Sequence, residues 1–336
     1  MKKIIALFVV VVLVVGGWSG FWLWGASQIR AQIAALGGAD GETAPKVTCG
    51  RTSVSGFPFR FDVECAEVTI VDRDVTTKIP AIRASVLAYH PTQVIFSSLG
   101  PVTIADAYTG GAWRIDYTAQ SGGATLHTDD IFKGITGEGW RIGRISVIAE
   151  NLKLTDTVLG EKPLVNAATA QIQIIDMPDR LNVTAGTAAL AGYTEFTGIS
   201  APDYGVADGR FTAETELTGL PADIRNYNET LPAFFAANQG ELKLVSLRGA
   251  AGEDFVESTG AIKLVQGANL DGTISLKSKG LVERLGAAVP ENLKVLLVGQ
   301  PDADGSYSQT LNIKGGVVFI GLVPIGIIPP LAVAAN

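Results

Sequence analysis

The sequence predicts a mainly β protein of antiparallel strands, preceded by one transmembrane helix. An apolar run extends from Ile4 to Trp24 at the start of the chain. After residue 47, many short runs alternate apolar and polar residues, which is typical of antiparallel strands with one solvated face. The chain also contains 39 glycines and only 7% aromatic residues, a composition that favours strands joined by tight turns.

The first element is a membrane anchor at residues 4–24, which follows a cytoplasmic tip at residues 1–3. A bilayer core requires about 20 helical residues, and this run supplies about 21. A cleaved signal peptide is the alternative, but its apolar region has about 7–15 residues and ends in a small-x-small site. The nearest such site, after Ala26, places Trp24 where a small residue is needed. A retained anchor is therefore favoured.

The residues around the anchor predict its orientation. Lys2 and Lys3 precede the run and only Arg30 closely follows it, so the positive-inside rule holds the N-terminus in the cytoplasm. The rest of the chain would then lie in the bacterial periplasm. Trp18, Trp22 and Trp24 lie toward the far end of the run and suit the aromatic belt at a membrane–water interface.

The exported part of the chain is acidic. Without Lys2 and Lys3, the 26 Lys and Arg fall to 24 against 33 Asp and Glu, a difference of −9. Such a charge argues against electrostatic binding to nucleic acid or to anionic headgroups.

After the anchor, residues 25–46 predict a short helical stalk, GASQIRAQIAALGG, and a loose linker, ADGETAP. Two β regions follow, at residues 47–219 and 220–336. Their strands alternate clearly: GRFTAETELTGLP places Phe211 and Leu217 on one face and Glu214 on the other.

Three helices are expected among the strands. The first covers 220–238, where Pro232 would split or kink it, and the others cover 281–288 and 290–300. The last 22 residues carry no charge and could form a second membrane span. Their many glycines and prolines instead favour a final buried strand with a proline-rich cap, packed into the body or lining a lipid-facing cavity.

No motif in the sequence indicates catalysis, a cofactor or a metal. His90 and His127 are the only histidines, and neither lies in a metal or catalytic pattern. The PDADGSY stretch lacks the distal ligands of a calcium loop and predicts an Asp-Gly turn before a strand at 306–313. Serines and carboxylates are numerous, but their spacing singles out no catalytic pair.

Cys49 and Cys65 are the only cysteines, and they flank a predicted hairpin loop. If that loop is centred on Phe57, the two cysteines face each other directly across the strands. In an exported protein this arrangement predicts a disulfide rather than a metal or redox site, since a redox motif requires C-x-x-C. The alternation of the second strand changes phase near Ala66–Glu67, which predicts a bulge or a switch of buried face.

The stretch SGFPFRFDVEC, behind an anchor and a stalk, resembles an uncharacterised bacterial envelope family known as domain of unknown function twenty-one twenty-five. The motif residues are Gly56, Phe57, Pro58, Phe59 and Arg60. Residues 240–287 are similar, more distantly, to the closing module of AsmA-like chains. The resemblance implies a curved antiparallel sheet with an open apolar groove and a role in envelope lipid homeostasis or transport. It brings no catalytic residues.

These observations predict a protein anchored in the inner membrane that binds lipid or acyl chains in an apolar β-groove. Its expected partners are the membrane, a lipid ligand and other envelope proteins, with no cofactor. A structural or assembly factor without a ligand is the alternative. An envelope hydrolase is a third hypothesis, which requires His90 or His127 in a cleft beside serine or carboxylate groups.

Overall fold

The computed structural model describes residues 2–128, 139–228, 230–265, 269–280, 284 and 301–330. Within these ranges, 17 strands form one antiparallel sheet with few helices, which confirms the predicted mainly β fold. The helices predicted at 281–288 and 290–300 lie outside the described residues, except for Arg284.

The strands follow one another with short connections. Their bounds are β1 (Lys46–Ser55), β2 (Arg60–Asp72), β3 (Val75–Leu87), β4 (His90–Leu99), β5 (Val102–Asp106), β6 (Ala112–Asp116), β7 (Ala119–Thr128), β8 (Trp140–Asp156), β9 (Lys162–Asp176), β10 (Thr187–Ala201), β11 (Val206–Pro221), β12 (Glu241–Ala251), β13 (Asp254–Leu264), β14 (Leu270–Lys279), β15 (Tyr307–Lys314), β16 (Val317–Ile320) and β17 (Val323–Ile327). The α-helices are α1 (Lys2–Leu36) and α2 (Leu231–Ala237), and 3₁₀ turns occupy Pro178–Arg180, Pro202–Tyr204 and Ile224–Asn226.

The chain forms two compact units. Unit 1 comprises residues 1–123 and 153–163, and unit 2 comprises residues 124–152 and 164–336. Unit 1 contains α1 and the first strands. Unit 2 contains a meander in which each strand from β10 to β17 pairs with the preceding one.

The anchor and the stalk are one continuous helix, α1. It is long and apolar enough to span a membrane. The helix ends at Leu36, where Gly37 and Gly38 donate to the carbonyls of Ala34 and Ala35. Two successive glycines favour this end because they adopt non-helical conformations at little cost.

The linker predicted as loose is ordered by one carboxylate. Asp40 accepts hydrogen bonds from the amides of Glu42, Thr43 and Ala44, and the Thr43 hydroxyl also donates to it. The Gly41 carbonyl accepts from the amide of Arg73, the residue after β2. Side-chain bonds of this kind close a turn on their own backbone, so the segment is fixed in place.

The predicted helix at 220–238 is wrong in extent. Residues 220 and 221 end β11, and the α-helix begins only at Leu231. Pro232 lies in its first turn, where its missing N–H costs no hydrogen bond, so it starts the helix rather than splitting it.

The C-terminal prediction of a single buried strand is also wrong. Val317–Ile320 and Val323–Ile327 form a hairpin, β16–β17, that turns at Gly321, where φ is +60°. Its turn and second strand are largely open to solvent, since Leu322 is 96% exposed and Ile327 is 77% exposed, whereas Val317–Ile320 is half-buried. The glycine that permits the turn is one of the residues that argued against a membrane helix.

Candidate functional site

The first candidate surface is the contact between α1 and the β1–β2 hairpin in unit 1. Trp22 is buried, stacks on Phe61 at a centroid distance of 5.4 Å and meets Phe57 edge-on at 5.5 Å. Its indole N–H donates to the Arg60 carbonyl, and the Trp18 indole donates to the Pro58 carbonyl, each at 2.9 Å. The sequence predicts that these tryptophans lie at a membrane–water interface. Trp22 also holds the hairpin against the helix.

The first four motif residues, 56–59, form the tip of this hairpin, and the fifth, Arg60, is the first residue of β2. Gly56 has a φ of +97°, a conformation that glycine adopts readily. Phe57 and Phe59 are 55% and 61% exposed, although the Phe57 ring also touches Trp22. Arg60 pairs with Asp62 of its own strand at 2.7 Å and is largely solvated, so its role here is structural.

The two cysteines form a disulfide with a Cα–Cα distance of 5.4 Å. The predicted register is wrong, because Cys49 lies opposite Val68 and Cys65 lies opposite Thr52. Ser55 pairs with Asp62, so the loop is centred between Pro58 and Phe59 rather than on Phe57, and this offset changes the register. Glu67 has a φ of +54° and pairs with no residue in the β1–β2 ladder.

This irregularity differs from a bulge. The ladder passes from Cys49–Val68 to Arg51–Ala66, so each strand skips one residue and neither gains one. Gly50 is the skipped residue of β1, and a Cβ there would lie 2.5 Å from Oε2 of Glu67. The glycine therefore makes room for the Glu67 side chain.

The second candidate surface is one face of the unit 2 sheet. Residues directly opposite one another in an antiparallel ladder share a face, so the register defines its members. Aliphatic and aromatic side chains dominate this apolar face: Ile172, Ile174, Leu190, Phe196, Ile199, Phe211, Ala213, Leu217, Leu242, Leu244, Leu247, Val256, Ile262, Ile274, Leu276, Leu311, Ile313, Val318 and Ile320. Most are half-buried, and Ile172 and Leu242 are each 41% exposed.

The opposite face of the same sheet is charged. Cross-strand ion pairs follow it from strand to strand, and they are Arg210–Glu195, Lys243–Glu216, Arg248–Glu257 and Lys263–Glu241. These pairs are partly exposed and contribute little stability individually. Their effect is to make the sheet amphipathic, as the alternation of β11 predicted.

A pocket of about 210 Å³ lies at one end of the apolar face. Ile199, Phe211 and Val256 contribute apolar side chains to its wall, and Gly249 leaves room between them. A Cβ on Gly249 would approach Val256 to 2.9 Å, so only glycine preserves this space without a shift.

Arg284 lines the same pocket, but its guanidinium group is hydrogen-bonded to other groups of the protein. Its Nε donates to Asp254 at 2.7 Å, Nη1 donates to the Gly205 carbonyl at 2.7 Å, and Nη2 donates to the Ala251 carbonyl at 3.1 Å. Every guanidinium nitrogen is thereby engaged with the protein. The pocket accordingly suits an uncharged apolar group better than an anionic one.

Neither histidine lines this pocket. His90 is exposed and its Nδ1 is 3.1 Å from the Thr92 hydroxyl, while His127 packs against the backbone at Gly143. Asp129 and Asp130, which follow His127, lie outside the described residues. Within the described ranges, no group of three or more His, Cys, Asp or Glu residues is placed to hold a metal ion.

The PDADGSY stretch forms the expected turn before β15. The amide of Gly305 donates to the Asp302 carbonyl, and the amide and hydroxyl of the buried Ser306 donate to Asp304. These bonds and the ammonium of Lys277 hold the pKa of Asp304 well below its usual range. The carboxylate is therefore satisfied by its own loop and one lysine.

Sequence patterns did not reveal the pocket, because its walls come from turns and strand irregularities. They also missed a polar hollow of about 330 Å³ in unit 1, lined by Ser53, Ser55, Ser85, Ser97 and Ser121 with Asp62, Glu64 and Arg83. Ser53 and Ser55 alternate on β1, but the other three serines come one each from β3, β4 and β7, so spacing within a single strand would have revealed only the first pair.

The comparisons with known proteins identify one family. The family model described as "Uncharacterized protein conserved in bacteria (DUF2125)" matches residues 22–329. No curated protein and no solved structure matches the chain. The more distant AsmA-like resemblance therefore stays a prediction. The matched range begins at Trp22, contains the Gly56–Arg60 motif and covers most of the sequence, so the chain belongs to the DUF2125 family of bacterial proteins.

Proposed function

We propose that this protein is anchored in the bacterial inner membrane by α1 and binds lipid acyl chains on the apolar face of its unit 2 sheet. The amphipathic sheet with its pocket at Phe211 is the observation that carries the proposal. A fully hydrogen-bonded sheet face of aliphatic side chains offers a non-directional surface that suits an alkyl chain. The chain would act by binding rather than by catalysis, in envelope lipid homeostasis or transport.

The predicted orientation of the anchor supports the proposed location of the β units in the periplasm. Lys2 and Lys3 lie before the apolar stretch, which favours a cytoplasmic N-terminus and periplasmic β units. The Cys49–Cys65 disulfide suits an oxidising compartment such as the periplasm.

Photo-crosslinking of the full chain in lipid vesicles tests the proposal. A fatty acid with a diazirine near its terminal methyl group is added and activated, and the labelled peptides are identified by mass spectrometry. We expect adducts on β10–β13, in addition to any on α1. Adducts confined to α1 would contradict binding on the sheet.

Two neighbouring residues of β11 give a matched pair of variants. Phe211→Gln places an amide on the apolar face, whereas Thr212→Gln places the same amide on the charged face. We expect the first variant to lose most of the β10–β13 labelling and the second to retain it. Far-ultraviolet circular dichroism and the intact disulfide would establish that both variants are folded.

A structural or assembly factor of the envelope is the second candidate. The exposed Leu322 and Ile327 of the β16–β17 hairpin favour it, since exposed apolar side chains often mark a protein contact. The same experiment separates the two candidates, because a scaffold without a ligand gives no label on β10–β13.

A further inference from the structure

The position of the β1–β2 hairpin along α1 has a consequence for its depth in the membrane. The helix is exposed from Ile4 to Gly17, and its first hydrogen bond to the hairpin is made by Trp18. These exposed residues rise about 21 Å at about 1.5 Å per residue, which is less than the roughly 30 Å of a hydrocarbon core. To span the core, α1 must also use residues that already contact the hairpin.

The part of the hairpin at that level is apolar. Residues 56–59 carry no charge, and Phe57 and Phe59 point substantial surface outward. The turn between β3 and β4 is tied to them, because the Ala88 amide donates to the Phe59 carbonyl at 2.8 Å. That turn adds Tyr89, which is 66% exposed. Phe57, Phe59 and Tyr89 together form the aromatic tip.

Four backbone carbonyls at the tip have internal hydrogen-bond partners. Polar backbone groups within lipid require internal partners. The Gly56 carbonyl accepts from the Arg60 amide, the Phe59 carbonyl accepts from Ala88, and the Pro58 and Arg60 carbonyls accept from the indoles of Trp18 and Trp22. Pro58 has no N–H to satisfy.

The charges nearest the tip lie just behind it and are neutralised. Arg60 pairs with Asp62, whose other carboxylate oxygen accepts from the Ser85 hydroxyl at 2.6 Å. A long arginine beside apolar residues extends its charged end toward the headgroups while its stem stays in the apolar layer. Aromatic side chains followed by such a pair match the interfacial zone of a bilayer.

We propose that the aromatic tip is inserted into the periplasmic interface of the membrane beside α1, with Phe57 and Phe59 in contact with lipid. The proposal rests on the proposed anchoring by α1. The tip would hold unit 1 at a fixed height and orientation on the bilayer surface, because one helix alone leaves the attached units free to rotate.

Site-specific photo-crosslinking tests the insertion in the full chain, reconstituted in phosphatidylethanolamine–phosphatidylglycerol vesicles. Benzoylphenylalanine replaces Phe59, Val11 of α1, or Tyr108, which is 85% exposed in the β5–β6 turn. Intact-mass analysis then counts lipid adducts. We expect adducts at positions 11 and 59, with at least a five-fold lower yield at position 108.

The three positions separate the possible failures. Adducts at position 11 without adducts at 59 would overturn the insertion and leave the anchor intact. Absence of adducts at both positions would overturn the anchor as well. Cross-links from position 59 to another protein chain would show that a protein covers the tip, and this outcome also overturns the proposal.

A near-isosteric label guards against misfolding. In a second variant, 4-cyanophenylalanine replaces Phe59. The nitrile stretching frequency of the folded variant in vesicles is compared with that of the same variant denatured in urea without detergent. We expect the folded protein in vesicles to give the lower, apolar frequency. The frequency of a hydrated nitrile in a protein with an intact Cys49–Cys65 disulfide would argue against insertion.

Discussion

At the scale of single residues, the helix–hairpin contact depends on a position of α1 that has no side chain. Gly25 faces the Phe61 ring, and a Cβ at this position would lie 2.9 Å from Cζ. Gly20 lies one and a half turns earlier on the same helix and has no atom within 4 Å of the equivalent point. The two glycines therefore differ in packing while sharing the same helical backbone.

Gly25→Ala is expected to destabilise unit 1, whereas Gly20→Ala is neutral or stabilising. Alanine favours a helix over glycine by about 1 kcal/mol, and this gain applies at both positions. At position 25 the methyl group displaces Phe61, and such overpacking costs about 1–3 kcal/mol. Thermal unfolding of the full chain in micelles, followed by tryptophan fluorescence, measures the difference. Equal shifts for both variants would contradict the contact.

Asp40 shows how a single carboxylate fixes the segment after α1. The amide of Glu42, the hydroxyl and amide of Thr43 and the amide of Ala44 all donate to it, and together they lower the pKa of Asp40 to about 2. These bonds favour the charged form in the folded protein. Their contribution is present above the unfolded pKa of about 3.9 and is lost as the pH falls through about 2.

The carboxyl group of Asp40 is accordingly expected to titrate near pH 2 in the folded protein. The chemical shift of its carboxyl carbon, followed by NMR as the pH is lowered, measures this midpoint directly. Asp40→Asn retains one acceptor oxygen but cannot titrate, so its 40–44 segment should respond less to acid, as judged by limited proteolysis with pepsin. A midpoint near 4 in the native protein would show that the turn does not form.

At the scale of elements, the β1–β2 hairpin combines three constraints. The disulfide joins its strands, the Trp22 stack joins it to α1, and β2 pairs along most of its length with β3. A cross-link between residues 16 apart in sequence reduces the freedom of the unfolded chain. The hairpin is thus the element that connects α1 to the other strands of unit 1.

Replacement of both cysteines by alanine is expected to lower the stability of the protein by about 3 kcal/mol, the value for a closed loop of about 15 residues. Guanidinium unfolding in micelles measures this loss. A reducing agent should weaken the native protein by a similar amount and leave the double variant unchanged. If the double variant were as stable as the oxidised protein, the disulfide would make no contribution to stability.

The elements differ in how far the sequence predicted them. Apolar length located α1, and period-two alternation assigned Phe211 and Glu214 to opposite faces, because each depends only on local spacing. The hairpin register was not predictable, since local spacing does not reveal that the loop is centred between Pro58 and Phe59 rather than on Phe57. The pocket also escaped prediction, because Arg284 reaches Asp254 and Gly205 from distant parts of the sequence.

At the scale of the whole molecule, the redox state of Cys49 and Cys65 in cells would test the proposed periplasmic location of unit 1. Cytoplasmic thiols are kept reduced, whereas periplasmic pairs within bonding distance oxidise. The positive-inside rule assigns the orientation of α1 to Lys2 and Lys3. A change in charge bias around the helix should therefore change the redox state of Cys49 and Cys65.

The native chain is expected to contain no free thiols when cells are quenched with an alkylating agent and the intact mass is measured. A variant with Lys2→Glu, Lys3→Glu, Ser27→Lys and Gln28→Lys reverses the bias, and a substantial fraction of its molecules should carry two alkylated cysteines. Charges placed beyond the apolar run but within about 15–20 residues of its ends are those that set topology. Ser27 and Gln28 are exposed, so the added lysines leave the Trp22 and Ala26 contacts in place.

A second variant controls for the introduced lysines. Ser27→Lys and Gln28→Lys alone retain Lys2 and Lys3 before the apolar run against three basic residues after it, so the reversal is smaller and oxidation should fall less. Graded oxidation across the three proteins would tie the redox state to orientation, since none of the substitutions touches the hairpin. Free thiols in the native chain would contradict export, whereas full oxidation in the reversed variant would show that α1 is oriented by features other than its flanking charge.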